Sequence, residues 1–78
     1  MSTKIPIVKV KILEKLLFYL GFEAKRQSGS HIFYRHPDGR YTTLPHHGNQ
    51  DLGRPLIRQI LREFGIEPEE FIELLKKI

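Results

Sequence analysis

The sequence has no cysteine, no tryptophan and no long apolar run. Without cysteine neither a disulfide framework nor a thiolate zinc site can form, and such a composition suits a reducing, cytoplasmic location. No stretch approaches the ~20 apolar residues of a membrane span. The opening MSTKIPIVKV lacks the apolar centre of a signal peptide, so no membrane partner is expected. Carboxylates are scarce through most of the chain: residues 1–62 hold only Glu14, Glu23, Asp38 and Asp51, scattered rather than paired. A two-metal nuclease needs a carboxylate cluster to hold its ions, so magnesium-dependent cleavage is not expected, and no metal or other cofactor is implied. A Gly-rich phosphate loop is also missing, and no Ser-His-Asp order has supporting context. At 78 residues the chain predicts one domain over 1–78 with a small core. That excludes a doubly wound nucleotide-binding sheet, a barrel enzyme and a two-domain cleft.

What is present is basic charge, unevenly spread. Residues 1–62 carry 11 Lys and Arg against 4 acidic groups, a net of +7, whereas residues 63–78 carry 2 Lys and 5 Glu, a net of −3. A basic body of this kind attracts phosphate backbones through Coulomb attraction and counterion release, although small soluble domains are often basic for no specific reason.

Apolar periodicity predicts the elements. Ile12, Leu13, Leu16, Leu17 and Leu20 fall on one face of a helix over Lys9–Leu20, closed by Gly21 as a left-handed residue. Phe22–Gln27 and Ser30–Arg35 read as strands divided by Ser28-Gly29. The His36-Pro37-Asp38-Gly39 turn leads to a third strand at Tyr41–Leu44, ended by Pro45. His46–Gly53 reads as a loop. Pro55 opens a second helix whose stripe is Leu56, Ile57, Ile60, Leu61 and Phe64, closed by Gly65. A third helix starts near Pro68, with Glu67, Glu69 and Glu70 at its positive end and Lys76 and Lys77 in its last turn. Its stripe is Phe71, Leu74, Leu75 and Ile78. The order α-β-β-β-α with an added helix predicts an α+β fold: a three-stranded antiparallel sheet with helices on one face, the double-stranded-RNA-binding-like architecture. Fold alone does not give function.

Four histidines, His31, His36, His46 and His47, are the side chains that titrate near neutrality without perturbation. If the 36–39 turn pairs Arg35 with Tyr41, then Tyr34 faces Thr42, Phe33 faces Thr43, Ile32 faces Leu44 and His31 faces Pro45. His46 and His47 then leave the hairpin beside His31. A metal site there is disfavoured, because adjacent His46 and His47 point to opposite faces of an extended chain. Acid–base work on RNA fits better: imidazole can take the proton of a 2′-OH or give one to the leaving 5′-oxygen. Gly29 lets a ligand approach closely, and the Ser30 hydroxyl can meet a phosphate. Lys25, Arg26, Lys9 and Lys11 are candidates for RNA phosphates, with the plain alternative that Lys9, Lys11 and Lys15 are a solvated helix face. His36 reads as a solvated turn residue. Phe33, Tyr34 and Tyr41 read as core or cross-strand pairs, or as rings for unpaired bases.

The stretch GFEAKRQSGSHIFYRHPDGRYTTLPHHG resembles the HicA toxin family, also described as YcfA-like, of the HicAB toxin–antitoxin systems. The likeness rests on Gly21-Phe22, Gly29-Ser30-His31, Pro37-Asp38-Gly39, Pro45-x-His47 and Gly65, and runs from about Ile5 to the C-terminus. It implies a small mRNA-cleaving ribonuclease (an mRNA interferase) of double-stranded-RNA-binding-like fold. It also implies a HicB-like antitoxin that blocks the active site, and His31 as the catalytic histidine. His47 is the candidate for a second proton-transfer group. Pro55-Leu56 departs from the family, where Gly followed by Thr or a similar residue is frequent; Pro55 donates no N–H, so a phosphate contact at that helix start loses its support. A non-catalytic RNA-binding module of the same fold is the alternative reading.

Overall fold

The computed structural model describes residues 4–47 and 49–78. Its elements run β1 (Val8–Lys9), α1 (Val10–Tyr19), β2 (Glu23–Ser28), β3 (His31–Arg35), β4 (Tyr41–Pro45), β5 (Asp51–Leu52), α2 (Arg54–Phe64) and α3 (Pro68–Leu75). The three long strands form an antiparallel sheet in the order β2-β3-β4, and β1 pairs antiparallel with β5 in a separate two-stranded ladder. The predicted α+β architecture is the one observed.

The β3–β4 register is the predicted one, from Arg35 opposite Tyr41 to His31 opposite Pro45. Residues directly opposite in a ladder share a face. Tyr34, Thr42 and Leu44 are buried on one face, whereas His31, Arg35, Tyr41 and Thr43 are exposed on the other. The helices cover only the first. Phe18 of α1 sets its ring 6.0 Å from that of Tyr34, and Glu63 of α2 accepts a hydrogen bond from the Thr42 hydroxyl at 2.8 Å.

Both helix ends flagged by glycine are Schellman closures. The Gly21 N–H donates to Phe18 O and the Phe22 N–H to Leu17 O; the Gly65 N–H donates to Arg62 O and the Ile66 N–H to Leu61 O. Gly21 and Gly65 have φ of 97° and 76°, where a side chain is disfavoured. Phe22 and Ile66, which follow the glycines, turn into the core.

Several of the element readings need correction. Lys9 is not helical: it pairs with Asp51 in the β1–β5 ladder and α1 begins at Val10, whose N–H donates to Gln50 O. Consequently Val10 joins Leu13, Leu16 and Leu17 in the core, while Ile12 and Leu20 are half-buried. The segment 46–53 is not all loop, since Asp51–Leu52 is a strand and Leu52 is buried. Leu56 is exposed although it lies in the predicted stripe of α2, and the buried set there is Ile57, Ile60, Leu61 and Phe64. The strand limits also move by a residue, β2 running to Ser28 and β4 to Pro45, because the ladder continues until the turn geometry stops it.

Candidate functional site

The hairpin of β2 and β3 places the Gly-Ser-His motif. Ser28 pairs with His31, which leaves Gly29 and Ser30 as a two-residue turn. Gly29 has φ of 60° and no described non-glycine residue has a positive φ, so glycine takes the first central position, the pattern of a type II′ turn. A Cβ on Gly29 would meet nothing within 4 Å, so backbone conformation rather than space demands the glycine. On the other side of β3, the His46 N–H donates to Ser30 O, which prolongs the β3–β4 ladder past Pro45 and ties the two turns together.

His31 is exposed at the start of β3, between Ser28 and Pro45. No hydrogen bond or ion pair among the described residues engages its ring. Along the same face lie Phe33 and Arg35 of β3, Tyr41 and Thr43 of β4, and Arg26 of β2, which pairs with Phe33. The Arg26 guanidinium sits over the Phe33 ring, 5.5 Å from its centroid, and the Phe33 and Tyr41 rings lie 5.7 Å apart, tilted by 33°. A register shift between Ala24 and Arg26 makes Lys25 an extra residue in β2. Its ammonium is paired with Glu23 at 2.7 Å, and Lys25 therefore lowers the carboxyl pKa of Glu23.

His46 and His47 leave the hairpin at the end where His31 enters β3, and the His46 N–H donates to Ser30 O. They line a cleft of about 170 Å³ between α1 and the β3–β4 edge, with Lys11, Glu14, Tyr34 and Pro45 among its walls. Inside it the Tyr34 hydroxyl donates to Glu14 Oε2. Burial, and then the hydrogen bond and charge of Glu14, push the Tyr34 phenol far above its ordinary value of 10.0. Lys11 thus faces the cleft, whereas Lys9 is held by Asp51 at 3.2 Å and by Asn49 O, away from it.

His36 is not a solvated turn residue. Its Nε2 lies 3.1 Å from Leu20 O, its Nδ1 accepts from the Asp38 N–H, and its ring packs on Phe22 with centroids 5.1 Å apart. Among the described residues no group of three or more His, Asp or Glu side chains is placed to hold a metal ion.

Sequence reasoning singled out Ser30, His31, Lys25 and Arg26 but missed Arg35 as their neighbour. Period-two alternation from His31 through Phe33 would have found it, because these three side chains must share a face.

An antiparallel three-stranded sheet, helices on one face and a cationic, aromatic-bearing opposite face define a small α+β protein of the double-stranded-RNA-binding-like class. Residues 10–66 match the family model described as the HicA toxin of bacterial toxin–antitoxin systems, and the chain belongs to the HicA toxin family. A search of curated proteins returns no match. No described helix is long and apolar enough to cross a membrane.

Proposed function

We propose that this toxin is a metal-independent endoribonuclease that cleaves mRNA, with His31 as its proton-transfer residue and a HicB-like antitoxin as its partner. The single observation that carries the reading is the setting of His31: an exposed imidazole, engaged by no described hydrogen bond, at the edge of a face bearing Arg26 and Arg35.

In this reaction a base removes the 2′-OH proton and the ribose oxygen attacks the adjacent phosphorus. The bond from phosphorus to the 5′-oxygen breaks, and an acid returns a proton to that oxygen. The products are a 2′,3′-cyclic phosphate and a 5′-hydroxyl end, so the substrate must be RNA. Arg26, with the Ser30 hydroxyl and the Gly29 turn backbone, holds the phosphate and offsets charge developing on it. Lys25 contributes less, because Glu23 already neutralises it. Lys11 and His47 flank the cleft at the same hairpin end, where His47 is the candidate for the second proton transfer and Lys11 for an adjoining phosphate. Lys9, engaged by Asp51, is the weakest of the RNA contacts. Action on mRNA places the protein in the cytoplasm.

Cleavage of a defined transcript in the presence of EDTA tests the proposal. Wild-type protein should leave 2′,3′-cyclic phosphate ends, and folded His31→Ala should lose roughly 100- to 10,000-fold in rate, the usual worth of positioned acid–base groups. Equal cleavage by folded His31→Ala overturns the assignment. RNA binding without cleavage by wild-type protein makes the chain a non-catalytic RNA-binding module.

A further inference from the structure

The nuclease reading uses His31 and the cations near it but leaves Phe33 and Tyr41 without a task. Exposed single apolar residues are ordinary on protein surfaces. Here, though, two aromatic rings are neighbours on one face, Tyr41 is 58% exposed, and the Arg26 guanidinium carbon sits over Phe33, 5.5 Å from its centroid. The buried counterpart of this face is complete without them: Tyr34, Thr42 and Leu44 meet the helices on the other side. No described element covers Phe33 and Tyr41.

We infer that Phe33, Tyr41 and Arg26 form a stacking platform for an unpaired RNA base, which sets the register of the strand against His31. The inference rests on the ribonuclease reading for the role of His31, but the platform stands on its own geometry. Phe33 is two residues from His31 on the same strand and face, about 7 Å along it, or roughly two stacked nucleotides. A base resting on the platform therefore holds a nearby phosphodiester at the imidazole. Aromatic rings and Arg planes accept any base through its π-face, which suits a strand read loosely for sequence. A duplex cannot use such a platform, because its bases are stacked inside and present only their edges.

Charge selects RNA over a polypeptide as the occupant. Among the described residues the face carries Arg26, Arg35 and His31 against the carboxylate of Glu23, which stands opposite Arg35 and is paired with Lys25. Arg35 sits directly opposite Tyr41, so a phosphate joined to the stacked nucleotide meets a cation at the far end of the platform. Arg26 then acts through the plane of its guanidinium on the base while its charge still faces the backbone.

The test measures binding of a short single-stranded RNA carrying 2-aminopurine, whose fluorescence is quenched by stacking. The full chain is used in the His31→Ala background so that RNA stays intact. Binding should quench the probe. Tyr41→Ala should weaken binding roughly 5- to 150-fold and abolish the quench, with the salt slope unchanged. Tyr41→Phe should retain both affinity and quench. Arg35→Gln should instead lower the salt slope by about 0.7 and keep the quench. Phe33→Leu, which keeps apolar volume in a half-buried position, should weaken binding without unfolding. Unchanged affinity and quench in both Tyr41→Ala and Phe33→Leu overturn the platform, as does tighter binding of a matched duplex. So does affinity confined to the antitoxin polypeptide, with none for RNA. If the original sequence cleaves RNA while the variants bind normally, the platform fails and the nuclease stands. If it stacks RNA but never cleaves, the nuclease fails and the platform stands.

Discussion

His36 closes the first helix: its Nε2 lies 3.1 Å from the carbonyl oxygen of Leu20, the last residue before Gly21. Helix C-termini leave carbonyls without partners, and a ring N–H donor there satisfies one of them. Arg40, from the same hairpin turn, does the equivalent for the second helix by donating from Nη1 to Phe64 O. It also reaches Asp38 Oδ2 at 2.8 Å and lies over Phe22. One turn thus fastens both helix ends to the sheet. His36→Ala should cost about 1–3 kcal/mol in urea unfolding, from one hydrogen bond and one aromatic contact. RNA cleavage per folded molecule should not change. A stable His36→Ala protein with no cleavage would move His36 from scaffold to site.

Tyr34 gives the fold an alkaline limit. Its phenol is held neutral by burial and by donation to Glu14, so its folded pKa lies above the unfolded value of about 10. The unfolded chain loses that proton first as pH rises. The stabilisation is complete below pH 10 and is lost as pH climbs from there toward the folded pKa. Tyr34→Phe should lose about 1 kcal/mol at neutral pH and show a flatter stability curve above pH 10. Parallel alkaline curves for the two proteins would contradict this.

Asp38 works in the opposite direction. The Arg40 backbone N–H holds its carboxyl below the usual carboxylate range, and the Arg40 side chain adds to the effect. A lowered folded pKa gives stability that is present above the unfolded value and lost as pH falls through the folded one. Acid unfolding followed by circular dichroism should therefore show a shallower dependence below about pH 4 in Asp38→Ala. An unaltered acid limb would mean that the turn contributes nothing there.

The β1–β5 ladder separates apolar burial from surface charge. Leu52 is 1% exposed within the core, so Leu52→Ala should cost about 2–5 kcal/mol. Its neighbour Asp51 pairs with Lys9 in the open, and Asp51→Ala should cost less than about 1 kcal/mol, and less still at high salt. Similar losses for both would show that the ladder depends on the ion pair.

Much of the fold was legible because it rests on local rules. The helix stripes follow from a period of 3.6, the hairpin register from the 36–39 turn, and Gly21 and Gly65 from the left-handed residue each helix end requires. Other features hid where a partner distant in sequence decides. Val8–Lys9 and Asp51–Leu52 are each too short to show alternation, and become strands only when the chain brings them together across more than 40 residues. The half-burial of Leu20 and the exposure of Leu56 depend on which helix face meets the sheet, which periodicity cannot specify to the residue.

The site divides in the same way. The sequence alone determined that a hairpin turn falls at Gly29 just before His31, that Lys25 and Arg26 lie near it in the chain, and that His31 faces Pro45, because turn chemistry and a two-residue period are properties of neighbouring residues. Only the tertiary structure decided that His46 and His47 line a cleft with Glu14 and Tyr34, and that His36 caps a helix. It also decided that Arg26, Phe33 and Tyr41 meet on a face no helix covers. Helices can pack on only one side of a three-stranded sheet in so short a chain, and the choice of side is made by the summed burial of all the stripes at once.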